Sequence, residues 1–383
     1  MAAVKLTKKE QEEIAAANSY EAEEADRKRR RIEMRTLLQK AQPEAFALLE
    51  RSFAKGAVSH GYLFYGPTNA LKTEMAMLCA ETLVTRDPKG LVDESSLSDE
   101  EEALVRQVAN RASASLIVLD GYGKKALAKE NVDDVQSRFS RTASSGNGAR
   151  IWLMLRCENS SLGAQNSLLK FLEEPADGVY AFLTADNVER VLPTIRSRCV
   201  LVPFRPLPEI FLYEEGQKQG LDQEDAWLLA HMKVSISDMV ELAASPAYQN
   251  AKAMLKQWLN VKGDRDLLAC DYEVRYRLKA GAKKDEGISA DQAKDQNVRL
   301  LRFFFEMLMV TARTALKASD SSGMQMPAWY ALAIGKNSRE DWINVLKIAG
   351  EERDRVNANN DLNLLLDQAF YRLEVSKASV THG

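Results

Sequence analysis

Hydrophobic and polar positions along this chain follow two regimes that change near Pro208. Before it, short apolar runs alternate with stretches of helical spacing. Phe46, Leu49 and Phe53 recur as one helix face. Tyr62–Tyr65 is an apolar run that stops at Gly66-Pro67, a strand followed by a turn. Lys72–Val84 reads as a helix with Met75, Leu78, Cys79 and Leu83 inward. Residues 86–110 are polar and acidic and predict a surface excursion. Leu116–Leu119 reads as a buried strand, Val132, Val135 and Phe139 as a helix, Ser144–Gly148 as a loop, and Ile151–Leu155 as a third strand. Leu168, Leu169 and Leu172 mark a helix that Pro175 halts. Ala181-Phe182-Leu183 and Val200-Leu201-Val202 complete a set of five strands before a linker at Pro203–Pro208. Strands alternating with helices predict a parallel sheet covered on both faces. Everything after Pro208 reads as helical, with Gly281–Gly287 a break. Within it, Leu301, Phe304, Phe305 and Leu308 form a stripe that Phe303 and Met307 widen.

Composition narrows the picture. With 383 residues, 45% hydrophobic and 28% charged, the chain is long enough for two or three domains with ordinary cores. A net charge of −3 gives no global signature of nucleic-acid binding. Residues 1–42 are a charged extension, helical or disordered, that carries Arg27-Lys28-Arg29-Arg30-Arg31; a solvated helix face and a DNA contact both fit it. Cys79, Cys157, Cys199 and Cys270 lie far apart without CxxC spacing. This predicts reduced thiols in a cytoplasm and no zinc site or other metal. Without an apolar run of about 20 residues, and with a charged N-terminus, no membrane span or signal peptide is expected.

Candidate chemistry sits in two segments. His60–Thr73, HGYLFYGPTNALKT, has the frame of a phosphate-binding loop, GxxxxGK[ST]. Gly66, Lys72 and Thr73 match, but Leu71 stands where the second glycine belongs, and a branched residue there crowds the phosphate and disfavours φ > 0. The loop thus reads either as a vestigial turn or as a site of weak ATP binding. The third strand offers the second test. Where a hydrolysing enzyme carries an acid for Mg²⁺ and a neighbouring glutamate for water, this chain has Leu155 and Arg156. Glu158 comes two or three residues late for that work. The other segment ends in LPTIRSRC, residues 192–199. An arginine is suited to phosphate by its permanent charge and rigid fork of donors, so Arg196 and Arg198 are candidates, against the plain alternative of surface salt bridges.

At HGYLFYGP (60–67), NSLLKFLEEP (166–175) and LPTIRSRC (192–199) the chain resembles the delta prime subunit family of the bacterial DNA polymerase III clamp loader. A weaker likeness covers WINVLKIAGEERDRVNANNDLNLLLDQAFYRL (342–373). The resemblance implies an α/β AAA+ P-loop module over 43–205, an all-α lid over 206–245 and an all-α collar, used in oligomerisation, over 246–383. It implies a subunit that is not an enzyme by itself and needs no cofactor, held with gamma/tau and delta subunits in a hetero-pentamer. That assembly meets the sliding clamp and primed DNA, not a membrane. On the family pattern Arg198 is an arginine finger directed at a neighbour's ATP, with Ser197 and Cys199 its motif neighbours. The alternative is an ATP-binding gamma/tau-type ATPase, which would need a glycine at 71 and acids near 155 and 156. A P-loop kinase or transferase would need a working loop. The chain departs from many relatives in lacking a cysteine-rich zinc module after the phosphate-loop helix. The lid position of a sensing arginine falls near Ser237.

Overall fold

The computed structural model describes residues 8–85, 90–93, 97–121, 128–141, 148–260, 272, 290–317, 324, 326–335, 337–357 and 359–378. The chain divides into two units between Pro206 and Leu207.

The first unit opens with α1 (Lys8–Ala41) and α2 (Pro43–Ala54), continues through β1 (Gly61–Tyr65), α3 (Lys72–Leu83), α4 (Asp99–Ala109), β2 (Leu116–Asp120), α5 (Lys129–Arg141), β3 (Arg150–Leu155), α6 (Leu162–Glu173) and β4 (Val179–Ala185), and closes with α7 (Pro193–Arg196) and β5 (Val200–Pro203). The strands form one sheet in the order β2-β3-β4-β1-β5, every neighbouring pair parallel. The central strands β1, β3 and β4 read as continuous apolar runs because helices cover both faces. Trp152, Leu168, Leu172, Ala181, Leu183 and Ile195 share one side of that core.

Three expectations change here. The stretch 86–110 is more than a surface excursion. Ser98 and Glu101 form a reciprocal capping box that starts α4, and Val105 and Val108 of that helix are fully buried. The run Leu116–Leu119 is an edge strand in which only Leu116 is fully covered. The extension before Pro43 does not stop short of the unit: Leu37, Leu38 and Gln42 are buried. Its basic run is engaged locally, with Lys28 paired to Glu102 on α4 at 2.6 Å and Arg29 and Arg30 to Asp26. The loop expected at 144–148 lies largely outside the described residues, as does the break at 281–287.

The second unit is helical where described: α8 (Glu209–Lys218), α9 (Gln223–His231), α10 (Met239–Ala244), α11 (Pro246–Asn260), α12 (Ala290–Leu316), α13 (Ala328–Ile334), α14 (Arg339–Arg355) and α15 (Leu362–Ala378). Its first helices are tied to those after residue 245 by polar groups, buried around Asp225 and part-exposed around Glu224. Asp225 on α9 pairs with Lys252 on α11 at 2.6 Å and accepts the Tyr248 hydroxyl at 2.9 Å. Burial first, and then the Asp225 carboxylate, push the Tyr248 phenol well above its ordinary value, so it stays a donor. Glu224 binds Lys256 at 2.6 Å and accepts the Trp329 indole N–H at 2.7 Å. The stripe Leu301, Phe304, Phe305, Met307 and Leu308 is fully buried inside this unit. Exposed apolar side chains lie elsewhere, at Leu332, Ile343, Leu364 and Tyr371. Ser237, at the supposed sensing position, bonds its neighbours Ser235 and Asp238.

Candidate functional site

The phosphate-loop frame lies at the carboxyl end of β1, where a parallel sheet ordinarily presents ligand sites. Gly66 is required there for packing. Its φ is +152°, and a Cβ on it would lie 2.2 Å from the Phe204 carbonyl oxygen. Leu71 occupies the left-handed region at φ 62°, ψ 28°, and is buried. The turn therefore keeps the backbone path that glycine would allow. It does so at a strain of about 1–2 kcal/mol, which burial of the leucine side chain offsets.

Lys72 heads α3 and turns back onto its own loop. Its ammonium donates to the Gly66 carbonyl at 2.9 Å and the Pro67 carbonyl at 2.5 Å, and pairs with Asp186 at 2.9 Å. An ammonium has three N–H donors, so these partners use all of them. Asp186, just beyond β4, also accepts the Thr68 hydroxyl at 2.9 Å, and lies 3.8 Å from the Arg156 guanidinium. Its own N–H donates to the buried carboxylate of Glu158 at 2.8 Å. Glu158, a candidate substitute acid by sequence, thus braces the Asp186 backbone. Gln42 holds the far side of the loop: its amide donates to the Ala70 carbonyl at 3.2 Å and to the Arg205 carbonyl at 2.8 Å, and its oxygen accepts the Arg205 N–H at 3.0 Å. Leu155 is buried at the end of β3, and Arg156 follows it in the left-handed region at φ 53°. Thr73 is half-buried in the first turn of α3. These residues do not fit a bound nucleotide with Mg²⁺. The lysine that would reach phosphate is 6% exposed and saturated, and the strand supplies no acid for the metal.

The arginines stand at the other end of the sheet. Ser197-Arg198-Cys199 leads into β5, whose first residue Val200 pairs with Tyr62, next to the start of β1. The loop is at the finish of that same strand. Five residues of strand span about 16 Å. Local structure aims the arginine segment. Pro193 opens α7, Ile195 anchors it in the core, and Gln165 on α6 accepts the Leu192 N–H at 3.1 Å. Arg198 is 35% exposed by its side chain. It donates to the Thr194 carbonyl at 3.0 Å and the Ser197 hydroxyl at 3.4 Å, and pairs with Glu173 at the end of α6 at 2.9 Å. Arg196 pairs with Glu189 at 3.0 Å. The Cys199 sulfur would touch a Cβ on Gly61 at 3.5 Å, so it fills the space that glycine leaves beside β1. Burial pushes its thiol up to about 12, which keeps it neutral and makes it packing rather than a nucleophile.

Gly66, Lys72 and Thr73 thus come together, as do Ser197, Arg198 and Cys199, and the two groups lie apart. Sequence reasoning missed Gln42, Gln165, Glu173 and Asp186. Glu173 alone had a signal, since it belongs to the motif NSLLKFLEEP.

The first unit is a five-stranded parallel α/β unit with a phosphate-loop frame after β1 in which Leu71 stands at the second glycine position, and a helical unit follows it in the chain. Residues 41–208 match the profile of the family described as DNA polymerase III, delta subunit. The chain is 29% identical over 212 residues, 55% of its length and 62% of the relative's, to the DNA polymerase III subunit delta' of Bacillus subtilis (strain 168). It is 29% identical over 174 residues, 45% of its length and 51% of the relative's, to the subunit delta' of Pseudomonas aeruginosa PAO1. It is 31% identical over 196 residues, 48% of its length and 32% of the relative's, to the subunit gamma/tau of Mycobacterium tuberculosis H37Rv. The aligned stretches therefore span 62%, 51% and 32% of the length of these relatives, less than two thirds in each case. The resemblance carried by the motifs is borne out as a similarity: the matched stretch of the first unit is similar to DNA polymerase III delta' subunits. Among the described residues no helix is long and apolar enough to cross a membrane.

Proposed function

We propose that this chain is a non-hydrolysing delta prime-type subunit of a bacterial DNA polymerase III clamp loader, and that Arg198 acts on ATP held by an adjacent gamma/tau subunit. The observation that carries the reading is the placement of Arg198. It sits at the start of β1 while the loop sits at its end, so the arginine is out of reach of its own chain's loop and open to a neighbour. An arginine supplied in trans can contribute about 10³–10⁵ in phosphoryl-transfer rate. The saturated Lys72 and the pair Leu155-Arg156 support the absence of hydrolysis in this chain.

On this reading residues 206–245 are the lid and 246–383 the collar. The collar contact falls to exposed side chains such as Leu332, Ile343, Leu364 and Tyr371, because the Phe304–Leu308 stripe is spent on the unit's own core. The partners are gamma/tau and delta subunits in a hetero-pentamer, with the sliding clamp and primed DNA met through the assembly, in the cytoplasm. No cofactor is needed.

The experiment is phosphate release by the purified chain with Mg-ATP, together with calorimetric titration of the nucleotide. No turnover and no more than weak binding are expected. Turnover near 1 s⁻¹, within the usual enzyme range, and lost in Lys72→Ala, would instead establish a gamma/tau-type ATPase.

A further inference from the structure

We infer that Glu173 is a positioning residue that stows the Arg198 guanidinium and must release it before the arginine can serve a neighbour's nucleotide; this rests on the reading of Arg198 given above. The guanidinium makes two kinds of contact. Those to the Thr194 carbonyl and the Ser197 hydroxyl come from its own turn and travel with it. The third, Nη2 to the Glu173 carboxylate at 2.9 Å, comes from the last residue of a different helix, α6. It is the contact that fixes where the arginine points.

Carboxylate and phosphate oxygens compete for the same fork of donors. An Nη2 engaged with Glu173 is unavailable to a γ-phosphate until that pair opens. The carboxylate also places a negative charge beside the place a triphosphate would approach, which repels it. Both effects have one sign: Glu173 disfavours the engaged arginine. The pair is weak enough to open in use, because its side chains are 35% and 49% exposed. Ion pairs of this kind shift an equilibrium by about 1.5- to 5-fold. Glu173 therefore sets a modest resting restraint, of a size that assembly or a stimulating ligand can overcome. The neighbouring pair Arg196–Glu189, at 3.0 Å, supplies a matched control.

The test measures ATP hydrolysis without DNA by the loader reconstituted from this full chain with gamma/tau and delta subunits. Four variants are compared: Glu173→Gln, Glu189→Gln, Arg198→Ala and the double variant Arg198→Ala with Glu173→Gln. Glu173→Gln is expected to raise kcat about 2- to 5-fold, with the KM for ATP unchanged. Glu189→Gln should match wild type, and the double variant should match Arg198→Ala alone. A gain that persists without Arg198 overturns the inference, since Glu173 would then act by another route. So does an unchanged or lower rate in Glu173→Gln, the lower rate meaning that the carboxylate presents the arginine instead of withholding it. The two levels separate cleanly. A wild-type rate in Arg198→Ala sinks the reading of the arginine and the restraint with it. A slowed Arg198→Ala beside an unchanged Glu173→Gln sinks the restraint alone.

Discussion

Two cations in the first unit, Lys72 and Arg198, each lie 2.9 Å from a carboxylate, yet they stand in opposite situations. Lys72 is 6% exposed, and two carbonyls of its own loop complete its donor set. Withdrawing it from this arrangement would leave Asp186 and two carbonyls to find new partners, a cost that a ligand would have to meet. The Arg198 side chain is 35% exposed, its pair with Glu173 is part-exposed on both sides, and its other contacts are to its own turn. Distance alone therefore does not tell a structural cation from one ready for a partner. Burial and the number of committed donors do. The loop has become part of the packing, and the arginine has not.

The contrast can be broken most strongly at the buried end. Gly66→Ala should destabilise the first unit by about 4 kcal/mol or more, because a Cβ would collide with the Phe204 carbonyl at 2.2 Å. Loss of soluble expression or a collapse of the thermal midpoint would report it. A variant of unchanged midpoint would show that the loop is not packed as described. Lys72→Met should cost about 3 kcal/mol, at the low end for a broken buried pair because Asp186 keeps some solvent. For a unit of this size that is a fall of about 6–12 °C in the midpoint. A drop below about 2 °C would show that Lys72 is not committed to the fold.

The sheet start can be sharpened by pH. Burial raises the Cys199 thiol from an ordinary value of 9.0 to about 12. The neutral form is favoured in the folded state, so its contribution is complete below about pH 9 and is lost as pH rises toward 12. Cys79 and Cys157 are also raised by burial and act in the same direction. Stability should fall from pH 9 upward, and fall less steeply in Cys199→Ala. Mass mapping after an aromatic disulfide reagent at pH 8 should find Cys199 unmodified in the folded chain. Rapid labelling there would place the thiol in solvent. The smallest expected effect is at the exposed end itself: Arg198→Ala should change stability by no more than about 1 kcal/mol, and a larger loss in the thermal midpoint would make it a structural cation like Lys72.

What the sequence made legible follows from range. The strand–turn–helix at 61–83 is a local pattern and took the form that its spacing predicts, whereas Leu192–Ile195, which reads as a strand-to-turn segment, leads into a short helix opened by Pro193. The partners that decide what those residues do are distant. Thr68 and Asp186 are 118 positions apart, and Gln42 reaches Arg205 across 163. No periodicity reports such pairs. Leu116–Leu119 was misread for a related reason, since an apolar run does not say whether a strand is central or at an edge. The helix in 86–110 was legible in principle. Ser98 with Glu101 is a capping-box spacing, but the acidic run around it masked the inward Val105 and Val108.

The account rests on Arg198 serving a nucleotide outside its own chain. The direct measurement is DNA- and clamp-stimulated ATP hydrolysis by the reconstituted loader carrying Arg198→Ala, with Arg196→Ala beside it. The account predicts an intact assembly with a partial loss of rate for Arg198→Ala, because other sites keep their own arginines, and a smaller loss for Arg196→Ala. An assembled Arg198→Ala loader that hydrolyses ATP at the wild-type rate would contradict it and leave Arg198 as the surface partner of Glu173.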